Sequence, residues 1–174
     1  DPVTPLDETL QTLVDIVRAG KALYIGISRW PLEALKYADK FLRSQGVPPL
    51  IFQGRLNLLD RAVQEEGILD YCHDNGIGFI SFSPLAQGVL TARYLDGIPE
   101  GSRMSRGGSL KAEILTPELL EYLNQLNAIA TERGETLATM ALSWILSQRG
   151  VTSLIVGART PEQFKESLKC INSA

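Results

Sequence analysis

Apolar residues along this chain fall into two alternating rhythms. Leu6, Leu10, Leu13, Val14 and Val17 recur at helical spacing and Gly20 closes the run, which predicts an amphipathic helix and its stop. Thr4 is placed to cap that helix, Pro5 suits its first position, and Asp7 stands where a capping-box acid would. "ALYIGIS" (22–28) reads as a buried strand. Residues 31–45 return to helical spacing, with Leu35, Ala38 and Leu42 on one face and Gly46 at the end. "LIFQGRLN" (50–57) predicts a second strand and "IGFISFSP" (77–84) a third. Between them residues 64–75 predict a helix with Ile68, Leu69 and Cys72 inward, stopped by Gly76. Residues 96–114, polar and rich in glycine, serine and basic side chains, predict a long mobile loop. Helices over 117–133 and 136–149 follow, then a fourth strand over 152–156 and a last helix over 161–171.

Strands alternating with helices demand parallel strands joined by right-handed helical crossovers. Each strand is nearly continuous in apolar residues, so both faces are expected to be covered. Two architectures satisfy this: an open doubly wound sheet, or part of a (β/α)8 barrel. No GxGxxG follows any strand, so the dinucleotide fingerprint of the open class is absent. A whole barrel needs eight strands and about 250 residues, and this chain offers four strands, half of that number.

Composition narrows the function. Of 174 residues, 44% are hydrophobic and 21% charged, which predicts a packed globule rather than disorder. The net charge of −3 argues against general nucleic-acid binding, which needs a basic face. Cys72 and Cys170 have no metal or CxxC spacing and fit a reducing cytoplasm as inert thiols. No apolar run reaches the ~18 residues of a membrane span, and no signal peptide is visible.

Ligands of parallel α/β folds lie beyond the carboxyl ends of the strands. Those ends read Ser28-Arg29-Trp30, Gln53-Gly54-Arg55, Ser83-Pro84-Leu85 and Gly157-Ala158-Arg159. Arginines beside serine and glutamine point to an anionic ligand with an aromatic or amide part, and glycine lets it approach the backbone. The last helix start adds unpaired N–H groups, so a phosphate at Arg159 is expected. Plainer roles stand beside these. Gln163, three residues after Thr160, also completes a capping box. Arg29 and Arg55 could be surface charges, Ser28 and Ser83 strand ends, and Trp30 a packing residue. His73, the only histidine, lies mid-helix and reads as structural or solvated, so no His-based metal cluster can form within the chain. Glu65-Glu66 reads as first-turn helix charge, and no Ser-His-Asp set has a nucleophile elbow.

"DPVTPLDETL…LVDIVRAGKALYIGISRW", "FSPLAQGVLTARYLDGIPEGSRM" and "SLIVGARTPEQFKESL" resemble aldo-keto reductases. The branch they are most similar to holds bacterial glyceraldehyde-3-phosphate-type reductases and potassium-channel β subunits. The resemblance covers essentially all of residues 1–174 and implies the C-terminal half of a (β/α)8 barrel. It implies NADPH lying across the barrel mouth and hydride transfer to a small aldehyde or ketone. It puts Ser28, Arg29 and Gln53 near the nicotinamide amide and Phe82 against the nicotinamide ring. Ser83, Pro84, Leu85, Ala86 and Gln87 match the loop along the pyrophosphate. Arg93 stands where the family often has lysine near phosphates, and Arg103 matches an arginine in the loop that folds over the cofactor. Gly157, Arg159, Gln163, Glu166 and Ser167 match the adenosine end, with Arg159 replacing a frequent serine and Ser167 a frequent asparagine.

The family's catalytic Asp, Tyr, Lys and His all precede the motif that is Asp1-Pro2-Val3-Thr4-Pro5 here, so no catalytic residue is expected within the chain. The chain alone is therefore expected to be inactive, and to need its N-terminal half or self-association. A rival from another class is a non-catalytic, nucleotide-binding regulatory subunit like the channel β subunits. A phosphosugar half-barrel of another enzyme class is disfavoured by "GISRW" and "GARTPEQ".

Overall fold

The computed structural model describes residues 3–173. Asp1 and Pro2 of the opening motif lie outside the described residues. Four parallel strands form one sheet: β1 (Ile25–Ser28), β2 (Pro49–Arg55), β3 (Gly78–Phe82) and β4 (Val151–Leu154). Their spatial order is β1-β2-β3-β4, the same as their order in sequence. A barrel wall is built this way, whereas a doubly wound sheet reverses direction at a switch point. In the β1–β2 register Ile27 lies opposite Phe52 and Ser28 opposite Gln53.

The chain forms two compact units. The first comprises the residues up to Arg55 with Ala62–Ser81 and Arg149–Ser153, and it holds most of the sheet. Its helices are α1 (Leu6–Arg18), α2 (Leu32–Ser44), α3 (Ala62–Glu65) and α4 (Ile68–Asp74). Leu10 and Val14 of α1, and Leu35, Ala38 and Leu42 of α2, are fully buried, as their helical spacing predicts. Phe52 and Phe79 from adjacent strands stack with ring centroids 6.1 Å apart. Each such side chain removed from water contributes about 1.5–3 kcal/mol. Gly54 belongs to this packing rather than to a ligand: a Cβ there would lie 2.9 Å from the Phe79 ring.

Several sequence boundaries shift for local reasons. Pro5 occupies the N-cap of α1 with a ψ of 137°, so the helix starts at Leu6, one residue later than Pro5 at its first position predicts. The helix expected over 64–75 is two helices, because Gly67 turns left-handed at φ 76° between α3 and α4. β1 alternates buried and exposed residues instead of being covered on both faces. A half-barrel's inward face is expected to carry Ile25, Phe52 or Ile51, Phe79 and Leu154 or Ile155. Ile25, Phe52 and Phe79 are buried within the chain, Ile51 and Leu154 are half-buried, and Ile155 is exposed, while Leu23, Tyr24 and Leu50 are among the exposed apolar residues of the first unit.

The second unit comprises Leu56–Arg61, Phe82–Gln148 and the chain from Leu154 onward. It contains α5 (Pro117–Glu132), α6 (Leu137–Leu146) and α7 (Pro161–Leu168), and beyond α7 the chain tightens into a 3-10 turn over Lys169–Ile171. Thr116 caps α5 by accepting the Leu119 N–H, with Pro117 at the first position, and Thr136 caps α6 by accepting the Thr139 N–H. The core gathers Val89, Leu90, Tyr94, Leu123, Leu137 and Ala141. Met104 and Leu110, from the segment expected to be a mobile loop, are buried in the same core. Ser102, also buried, accepts the Ser105 N–H on its hydroxyl. Exposed stretches run between these anchors.

Candidate functional site

Among the described residues, the non-glycine residues with left-handed backbone are Arg29 (φ 59°), Ser83 (51°), Ala86 (46°) and Gln87 (60°). Such residues are uncommon and persist where surrounding contacts over-determine them. All four fall on positions that the sequence resemblance nominates. Three of them make one turn in the second unit, where the chain leaves β3. The Ser83 carbonyl accepts the Ala86 N–H at 2.9 Å, and the Leu85 carbonyl accepts the N–H groups of Gly88 at 2.8 Å and Leu90 at 3.2 Å. The side chain of Asn57 donates to the Ser83 carbonyl at 3.1 Å, and the Ser109 hydroxyl donates to Gln87 Oε1 at 2.9 Å.

The start of α7 is tied in the same way. Thr160 Oγ1 accepts the Gln163 N–H at 3.2 Å, while Gln163 Oε1 reaches back to the Arg159 N–H at 2.9 Å. Thr160 thus caps α7 as expected, while the Gln163 side chain takes the N–H of Arg159 in place of the Thr160 N–H that a capping box requires. Ser167 donates to the Gln163 carbonyl at 3.0 Å. Glu166 accepts the hydroxyls of Thr136 and Thr139, both at 3.1 Å, and pairs with Lys169 at 2.6 Å. The Lys169 contact is the main cause holding the Glu166 carboxyl below its ordinary range. The two threonine hydroxyls add to it and partial burial opposes it. Its oxygens therefore join α6 to α7.

A cavity of about 670 Å³ within the second unit brings the turn and the helix start together. Ser83, Pro84, Leu85, Gln87, Arg93, Arg103, Gly157, Arg159, Gln163, Glu166 and Ser167 line it. Phe82, at the end of β3, and Ala86, inside the turn, do not. Ser28, Arg29 and Gln53 belong to the first unit, at the carboxyl ends of β1 and β2, where the Arg29 N–H donates to the Gln53 carbonyl at 3.0 Å. Among the described residues, no carboxylate pairs with the guanidinium of Arg93, Arg103 or Arg159. Three cations that no described carboxylate neutralises, beside a helix start, give the cavity a chemistry suited to anionic oxygens.

A second cavity in the same unit, about 730 Å³, is a poorer candidate. Its charges cancel: Arg133 pairs with Glu135 and Lys169 with Glu166, and Ser173 bonds Glu135. Burial pushes the Glu135 carboxyl up, but the Ser173 and Arg133 hydrogen bonds outweigh it and leave the group lowered. Among the described residues, no group of histidine, cysteine, aspartate or glutamate side chains could hold a metal ion. No described helix is long and apolar enough to cross a membrane.

The profile of the Aldo/keto reductase family matches residues 1–173. The chain belongs to the aldo/keto reductase family. Among its relatives, the L-glyceraldehyde 3-phosphate reductases of Escherichia coli O157:H7 and strain K12 are 45% and 44% identical to it, over 99% of this chain and 51% of each relative. A Schizosaccharomyces pombe protein named as a voltage-gated potassium channel subunit beta is 35% identical over 98% of this chain and 51% of its own length. A thermostable aldo-keto reductase solved with the inhibitor epalrestat superposes with a TM-score of 0.71 at 26% identity, covering 99% of this chain and 51% of that one. The chain thus spans about half the length of the curated relatives it matches. Its four-stranded wall is half of an aldo/keto reductase barrel.

Sequence motifs leave four supporting residues of this aldo/keto reductase chain unnoticed. Asn57 and Ser109 hold the turn, and Thr136 and Thr139 hold Glu166. Thr136 carries a legible signal, a hydroxyl residue just before a helix. Asn57, Thr139 and Ser109 act across 26, 27 and 22 residues of sequence, a separation that local pattern does not report.

Proposed function

We propose that the cavity of the second unit receives the phosphate-bearing adenosine end of NADPH. The carrying observation is the set of three arginines around one cavity that have no carboxylate partner among the described residues. The donor set fits a ligand rich in anionic oxygens: guanidinium groups, the start of α7 and a turn held in left-handed conformation. Arg159 and Gln163 would take the adenosine end, and Arg93 and Arg103 the phosphates. Ser83 to Gln87 would follow the pyrophosphate. For the nicotinamide end we propose Ser28, Arg29, Gln53 and Phe82, on the resemblance alone. NADPH when bound supplies the hydride.

In a chain completed to a full barrel, the function is reduction of small aldehydes or ketones, and the relatives named for L-glyceraldehyde 3-phosphate support that substrate class. The resemblance puts the family's proton donor outside residues 1–174, so this chain by itself turns nothing over. Its partner is then an N-terminal half-barrel or a second copy. Two buried cysteines without a disulfide suit a reducing cytoplasm. The 35% identity to a protein named as a channel β subunit favours a second role, a nucleotide-binding regulatory subunit. Aldehyde-dependent NADPH oxidation by the completed protein tests the first. Tight NADPH binding with negligible turnover would favour the second.

A further inference from the structure

We propose that Asn57 is a positioning residue that fixes the Ser83–Gly88 turn for a pyrophosphate-bearing ligand; this rests on the cofactor reading above. Asn57 is 2% exposed, in the short segment that leaves β2. Its backbone exchanges two hydrogen bonds with Asp60, at 3.0 and 3.1 Å, and its Oδ1 accepts the Leu59 N–H at 2.9 Å. These bonds leave the amide nitrogen one orientation, and from there it donates to the Ser83 carbonyl. Ser83 is itself left-handed, and its carbonyl is the acceptor that closes the turn through Ala86. Ala86 and Gln87, the next left-handed residues, follow within that turn. A turn with three residues in a disfavoured conformation needs support from outside itself. Two supports among the described residues reach it from distant sequence, Asn57 from the segment after β2 and Ser109 on Gln87. Asn57 is the buried one of the two, so its donor is the one that solvent cannot replace.

Asn57→Asp keeps the side chain's shape and its acceptor for Leu59 but removes the donor to Ser83. Asn57→Ala removes both and carries the test if the aspartate variant does not fold. Two ligands separate positioning from general stability: 2′-phospho-ADP-ribose, which contains a pyrophosphate, and adenosine 2′,5′-bisphosphate, which lacks one. Calorimetry on the 174-residue chain is expected to show about tenfold weaker binding of the first in either variant and less than about twofold change for the second. Hydrogen exchange without ligand is expected to quicken at the Ala86, Gly88 and Leu90 amides. Equal weakening of both ligands, or unchanged exchange at those amides, would overturn the role of Asn57. Failure of the unsubstituted chain to bind either ligand would instead overturn the cofactor reading, with exchange alone then deciding whether Asn57 holds the turn.

Discussion

Gln163 Oε1 accepts the backbone N–H of Arg159 at 2.9 Å. The residue whose N–H is capped by Thr160 thereby also holds the backbone of Arg159, which lines the cavity. The helix cap and the tether on Arg159 thus meet at one glutamine. Gln163→Ala is expected to release the Arg159 amide and weaken binding of adenosine 2′,5′-bisphosphate severalfold. Gln163→Glu preserves the acceptor but sets a negative charge beside the phosphate, so it should weaken binding too, with the helix start intact by amide exchange.

Arg159 should decide between the two nicotinamide cofactors. A charged, bidentate contact to a 2′-phosphate contributes roughly 1.5–3 kcal/mol. The completed protein is therefore expected to prefer NADPH to NADH, and Arg159→Ala to abolish most of that preference. Titration of both cofactors measures this. Equal weakening of NADPH and NADH in the variant would mean that Arg159 does not read the 2′-phosphate.

The sequence already showed much of this half-barrel, and the physical reason is locality. Strands appeared as apolar runs, and the faces of α1 and α2 as spacing, because burial imposes a period on neighbours. The cap at Thr160 and Gln163 was legible for the same reason, since both partners lie within one helical turn. Gly67 marked its own break, yet the surrounding helical spacing masked it. Glu166 was expected only at the adenosine end, and its bonds to Thr136 and Thr139, which tie α7 to α6, depend on a contact that local pattern does not report. The support from Asn57 to Ser83 was invisible, because neither residue's neighbours in sequence are its neighbours in space.

The segment over 96–114 should respond to ligand in two parts. Ser102, Met104 and Leu110 are buried anchors, whereas Arg103 faces the cavity from between them. Hydrogen exchange is expected to be slow near the anchors at all times. It should slow further in the exposed stretches when NADPH is added to the completed protein. Exchange unchanged by NADPH throughout the segment would remove it from the binding process.

Acid should loosen α7. The folded Glu166 carboxyl is lowered, chiefly by Lys169. The stability it contributes is present above the unfolded glutamate value of about 4.3 and is lost as pH falls through the lower folded value. Urea denaturation followed at several pH values below about 5 should show a shallower acid loss in Glu166→Gln. An identical acid slope in the variant would remove Glu166 as its source.

Alkali should act on the first unit. Burial, then the nearby Asp39 charge, pushes the Cys72 thiol up to about 12. Burial and the hydrogen bond to Asp39 push the Tyr71 phenol to about 12 as well. Both groups are favoured neutral in the fold. Their contribution is present below the unfolded values, about 8.5 and about 10, and is lost as pH rises toward the folded ones. Cys72→Ala should flatten the first part of that alkaline loss. In the unsubstituted chain a thiol reagent near pH 8 should label Cys72 only at the rate of unfolding. Fast labelling under native conditions would contradict its buried, neutral state.

The chain alone should associate and should not reduce aldehydes. β1 and β4 are the outer strands of the sheet, and unpaired strand edges recruit other strands. In the first unit Leu23 is 82% exposed and Tyr24 70%, and Leu50 on β2 is half exposed. Covering side chains of this size contributes about 1.5–3 kcal/mol each, a large share of the ~5–15 kcal/mol that stabilises a domain. A second copy that pairs an edge and covers these residues supplies that stabilisation, most simply as a two-fold dimer. Light scattering on the purified chain is expected to give a mass above that of one 174-residue chain. Leu23→Lys combined with Leu50→Lys should shift the population toward the monomer. A cooperatively unfolding monomer at all concentrations would refute the association. Activity has a separate readout, since the acid that must protonate the carbonyl oxygen is expected outside these residues whatever the oligomeric state. NADPH oxidation with a small aldehyde should stay at background, and turnover above it would place a proton donor within residues 1–174.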